Sequence, residues 1–194
     1  MLVASGPAFA GVESLHRTPL RSVLPASPTA RVFEEGFVPR ITDVGQRHPV
    51  TEGLERVAPR PVDEEGTPGW GRWFRMVDML QDSGHAVMSG PDDRPLLIMD
   101  RPGEGRIAVL ASDHAWLWSR GFEGGGPQSE LLRRLAHWLM QEPELEEDAL
   151  TAVADGRDVR VERRTLDDIS PELRIETPSG GELTAEFVEV SPGK

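Results

Sequence analysis

Between residues 94 and 143 short apolar runs alternate with polar turns, in the order expected of an α/β domain. Residues 95–99 (PLLIM) and 107–111 (IAVLA) are continuous apolar runs of strand length, separated by the turn sequence RPGEG at 101–105. After the second run come Asp113 and His114, two tryptophans and a triple glycine. Leu131, Leu132, Leu135, Trp138 and Leu139 then recur at helical spacing. That spacing predicts a helix opened by Pro127 at its first position, with Arg133 and Arg134 on the solvent side and Pro143 as the stop. Upstream, 85–89 and 32–38 read as short strands and 70–77 (WGRWFRMV) as an extended aromatic block. Residues 12–31 suggest a short helix and a proline-rich connection, and 39–69 read as loop.

The ends of the chain carry different patterns. Leu2, Val3 and Ala4 read as the tail of a buried strand, with Ser5-Gly6-Pro7 as the turn after it. An inner strand of a parallel sheet requires neighbours and covering layers on both faces, so further strands are expected before it. From 151 onward, polar and apolar residues alternate as in Val159-Arg160-Val161 and Leu173-Arg174-Ile175, with a turn at Asp155-Gly156. Such strands make about half of a β-sandwich, which normally takes about seven. The expected organisation is an internal portion of a longer protein. A partial α/β domain occupies 1–147 and a partial β-sandwich-like domain 148–194. The acidic run 142–148 (EPELEED) reads as a solvated linker between them.

Composition narrows the function classes. Hydrophobic residues at 38% and charged residues at 28% suit a globular chain rather than a disordered one. A net charge of −12 disfavours a nucleic-acid backbone as partner. No stretch reaches the roughly 18 apolar residues of a spanning helix, so no membrane contact is expected within this portion. The absence of cysteine removes disulfides, thiolate metal sites and a cysteine nucleophile, and leaves the redox compartment open.

Candidate chemistry gathers after the 107–111 run. A histidine at the carboxyl end of a strand can act as a general base held by a carboxylate, which marks His114 and Asp113. The structural alternative has Asp113 capping the turn and His114 packed among Trp116 and Trp118. Ser5 occupies a strand-to-helix turn of the kind that carries a nucleophile, although Val3 and Pro7 stand where the elbow pattern has glycine. An ordinary Ser-Gly-Pro turn explains it equally. Gly124, Gly125 and Gly126 would let an anion approach the helix N-terminus, or simply form a tight loop. The five histidines show no metal-ligand spacing, so no metal or other cofactor is expected.

The pieces ASGP (4–7), RHPVTEGL (47–54), GEGRIAVLASDHAWLW (103–118) and GGGPQSELLRRLAHWLMQEPELEE (124–147) carry a resemblance across residues 1–147. Together they resemble the carboxyl-terminal half of a bacterial class I glutamine amidotransferase-like domain. The nearest group lies inside larger membrane-anchored proteins, where a β-sandwich-like region follows. The resemblance implies a flavodoxin-like parallel sheet lacking its first strands. It also implies a parent protein of the cell membrane, this portion being periplasmic or cytoplasmic, with other envelope proteins as partners. An active member uses a cysteine at the elbow and a His-x-Glu after a late strand. Here the elbow falls near Ser5, His114 matches the histidine, and Trp116 replaces the glutamate. The resemblance therefore implies a non-catalytic module for protein interaction or small-ligand binding; the candidate ligand-binding residues are Trp116, Trp118, Gly124, Gly125 and Gly126. Two other readings stay open: a hydrolase or amidase built on Ser5 and His114, and carbohydrate binding through the aromatic loops.

Overall fold

The computed structural model describes residues 1–64, 66–156, 158–167, 172–177 and 180–193. In chain order the strands are β1 (Leu2–Ala4), β2 (Ala26–Phe33), β3 (Arg40–Ile41), β4 (Met76–Gln81), β5 (His85–Ser89), β6 (Pro95–Asp100) and β7 (Ile107–Leu110). They continue with β8 (Ala149–Asp155), β9 (Asp158–Arg164), β10 (Leu173–Glu176) and β11 (Glu182–Ala185). The α-helices are α1 (Asp43–Arg47), α2 (Trp116–Ser119) and α3 (Gln128–Leu139). None of the described helices is long and apolar enough to cross a membrane.

The fold is mixed α/β, mostly sheet with few helices. Its central sheet has five strands in the order β1-β7-β6-β5-β3. Leu96–Met99 and the whole of β7 are buried, so both faces of these two strands are covered, as their unbroken apolar runs require. The expected all-parallel sheet is not what these strands form. Only β1 and β7 run parallel, whereas β7–β6, β6–β5 and β5–β3 are antiparallel. The reason is local: the short connection across 101–106 can join only antiparallel neighbours, because a parallel crossover needs about a dozen residues or more. β1 also differs from an inner strand. It lies at the sheet edge, Val3 points into the core, and Leu2 is 40% exposed.

A second, antiparallel ribbon pairs β2 with β4, and a bulge between Pro28 and Val32 puts Ala30 at φ +68°. The region expected as short helix and proline-rich connection instead holds 3-10 turns at Leu15–Arg17 and Pro19–Ser22, followed by most of β2. α3 forms where predicted and buries Leu131, Leu135 and Trp138, while Leu132 stays partly exposed. Pro127 sits at the cap rather than inside the first turn. The helix ends well before Pro143, at a left-handed Gln141 (φ +63°) whose N–H donates to the carbonyl of Trp138.

Past Asp148 the alternating pattern makes two separate antiparallel ribbons, β8–β9 and β10–β11. Their side chains are mostly exposed, and every fully buried apolar residue described lies at or before Trp138. The segment joining them to the sheet is no solvated linker. Glu146 pairs with Arg101 and Arg106, and Glu147 is buried against His48, Trp138 and Arg101. Guanidinium and imidazole donors facing the acidic run are what draw it down onto the domain.

Candidate functional site

The parallel pairing of β1 with β7 puts Ser5 and the 112–114 turn side by side at the carboxyl ends of adjacent strands. The Ser5 N–H donates to the Leu110 carbonyl (2.8 Å). Ser112, fully buried and not singled out by sequence, fixes the turn: its hydroxyl donates to the Arg75 carbonyl (2.6 Å) and accepts from the His114 N–H (3.0 Å). The next carboxylate, Asp113, receives Arg75 in a fork, with Nε 3.1 Å from Oδ1 and Nη2 2.7 Å from Oδ2. Asp113 also lies over Gly6, where a β-carbon would stand 3.1 Å from Oδ2.

His114 is therefore committed on one side. Its Nδ1 accepts the Phe74 N–H (3.2 Å), which leaves the proton on Nε2, 3.9 Å from Asp113 Oδ1 and beyond hydrogen-bond reach. Burial lowers its pKa below the ordinary 6.5, the Arg75 charge lowers it further, and Asp113 only partly opposes them. The imidazole is neutral at pH 7. Ser5 is 2% exposed, and its Oγ has no hydrogen-bond partner among the described residues. The structure thus brings Ser5, Asp113 and His114 to one corner without the nucleophile–base contact that activates a serine.

The two tryptophans have different roles. Trp118 is 3% exposed, donates its indole N–H to the Gly71 carbonyl (2.7 Å), and packs against Trp70 and Trp73 at centroid distances of 5.1 and 4.7 Å. Trp116 is 51% exposed and meets His114 edge-on at 6.3 Å. The triple glycine serves this packing. A β-carbon at Gly126 would come 2.5 Å from the Trp118 ring, and Gly124 and Gly125 adopt φ +96° and +77°. Their N–H groups donate to the carbonyls of Gly121 and Phe122, so they are not offered to an anion. Beside them, Arg72 forks onto Glu123 and holds its carboxyl down to about 2.

A second polar centre escaped sequence reading. His48 is fully buried, with Nδ1 accepting the Val50 N–H (3.2 Å) and Nε2 donating to Glu147 Oε1 (2.8 Å). The same oxygen accepts the Trp138 indole N–H (3.0 Å), and Arg101 Nε lies 2.8 Å from Oε2. Burial lowers the His48 pKa, against the opposing pull of Glu147. For Glu147, burial alone would raise the pKa, but its donors and the Arg101 charge more than offset that and leave it lowered. Nothing in the local sequence around His48 announced a partner 99 positions away. Among the described residues, no group of three or more His, Asp or Glu side chains is placed to hold a metal ion.

No family model matches this chain, and no curated protein matches it. Among solved structures, the cytoplasmic protein STM1381 of Salmonella typhimurium LT2 has a similar fold, with a TM-score of 0.52 at 19% sequence identity. The match covers 71% of this chain and 54% of that one, so the chain spans about half the length of the structure it resembles.

Proposed function

We propose that this chain is a non-catalytic amidotransferase-like module of a larger bacterial envelope protein, acting in protein interaction or small-ligand binding. The observation that carries this reading is the state of the Ser5–His114 corner. The serine hydroxyl is buried without a partner among the described residues, His114 spends Nδ1 on the Phe74 N–H, and its carboxylate neighbour is held by Arg75. A chain without cysteine has no thiolate to replace that serine. The side-by-side placement of Ser5 and the 112–114 turn on parallel β1 and β7 supports a flavodoxin-like ancestry for this part of the sheet. A membrane-anchored parent protein and envelope partners follow from the family resemblance.

The half-exposed Trp116 beside His114 favours recognition at this corner over chemistry, because an exposed indole offers a large, rigid contact surface. Incubating the full-length protein with glutamine is expected to release no ammonia above background, and a fluorophosphonate probe is expected to leave Ser5 unlabelled. Ammonia release that His114→Ala abolishes would overturn the non-catalytic reading. Labelling of Ser5 would move the assignment to a serine hydrolase.

A further inference from the structure

Away from this corner, a polar cleft of about 450 Å³ opens between α3, the 3-10 turn Leu54–Val57 and the end of β9. Four arginines line it, Arg56, Arg133, Arg134 and Arg164, in a chain whose net charge is −12. Three of them are already held in place. Arg134 donates Nε to Glu130 Oε1 (2.7 Å) and Nη1 to the Glu52 carbonyl (2.7 Å), and Arg133 forks onto the same Glu130 (2.9 and 2.8 Å). Arg164 Nη1 donates to the Glu144 carbonyl (2.7 Å). The Arg56 guanidinium is exposed and has no ion-pair partner among the described residues.

We propose that this cleft binds a compact phosphate-type oxyanion. The guanidinium N–H groups that Glu130 and the backbone carbonyls leave unbonded, together with Arg56, can donate to such a ligand, and side chains ordered in advance lose less entropy when they engage it. The carboxylates that share the lining narrow the ligand's size. Glu52, Glu142 and Glu144 all form part of the wall, with Glu142 2.6 Å from His137. An extended polyanion meets these groups and the overall negative field, whereas a compact one can rest against the arginines alone.

The test is titration of the intact chain with inorganic phosphate at low ionic strength, followed by calorimetry and by NMR shifts at the arginine side chains. Binding is expected, weakening as sodium chloride is added, and tighter for phosphate than for succinate. The Arg56→Ala/Arg133→Ala double variant, which removes two surface cations, is expected to bind at least about tenfold more weakly. Glu144→Gln, which removes a like charge, is expected to bind about two- to threefold more tightly. Absence of binding by the unmodified chain, unchanged affinity in the double variant, or a preference for succinate would each overturn the assignment.

Discussion

Replacing Glu147 with alanine is expected to destabilise the protein by about 3–5 kcal/mol, the range seen when one member of a buried charged network is removed. One carboxylate satisfies the His48 imidazole, the Trp138 indole and the Arg101 guanidinium. Truncation leaves the His48 and Trp138 donors without their acceptor, while Arg101 keeps Glu146, and His48 is wholly out of reach of water. His48 and the carboxyl end of α3, through Trp138, would then lose their side-chain tie to the segment leading into β8, and only the Glu146 pairs with Arg101 and Arg106 would hold it to the sheet. Urea unfolding checks this through the midpoint at constant slope. Glu147→Gln, which keeps one acceptor oxygen, should lose less. A loss for Glu147→Ala of only about 0.5 kcal/mol, the scale of a surface substitution, would show that the network contributes little.

The same network gives stability a definite pH dependence. His48 has a folded pKa lowered from 6.5, because burial favours the neutral ring. A group depressed in this way binds fewer protons folded than unfolded. Its contribution is complete above the unfolded value and is lost as pH falls through the folded one. Glu147 is also lowered, from 4.5, so its contribution is present above that value and fades at more acid pH. Stability should therefore be flat above pH 6.5 and fall in acid, first through His48 and then through Glu147. Urea midpoints across a pH series measure it. Glu147→Gln should shrink the more acid limb without abolishing it, because Glu123, Glu130 and Glu146 are lowered as well, and a midpoint that rises on acidification would contradict both contributions.

What the sequence made legible was burial, and what it hid was pairing. The runs at 95–99 and 107–111 became β6 and β7 almost residue for residue, since a strand covered on both faces shows itself as an unbroken apolar stretch, and 85–89 became β5. The stripe of Leu131, Leu135 and Trp138 fixed α3 in the same way. Strand direction is carried by the connections. The RPGEG turn is too short for a parallel crossover, so the antiparallel pairing of β6 with β7 is legible in the sequence. The His48–Glu147 tie left no comparable trace. It joins a loop histidine to an acidic run whose composition alone looks solvated, and only the packed fold brings them together. At the corner, Ser5, Asp113 and His114 are legible from residue type and position, whereas Ser112 and Arg75, which set their geometry, carry no such signal.

Trp118→Ala and Trp116→Ala should separate these two kinds of tryptophan sharply. Trp118 fills the space between Trp70, Trp73 and Gly126, and its indole N–H holds the Gly71 carbonyl. Removing it opens a cavity ringed by rigid aromatic side chains and by glycines with no side chain to refill it. A loss of about 3–5 kcal/mol is expected, as for other large aromatic truncations in a core. It should come with release of the 121–126 loop, whose Gly125 carbonyl accepts from the Gly71 N–H (2.8 Å). Trp116 is half exposed and touches His114 only edge-on, so its truncation should change stability by about 0.5 kcal/mol or less. Urea unfolding of both variants measures the contrast, and equal losses would refute the division between core and surface. Any binding that survives in Trp118→Ala but vanishes in Trp116→Ala would then belong to the exposed indole beside His114, which is available to a partner without unpacking the core.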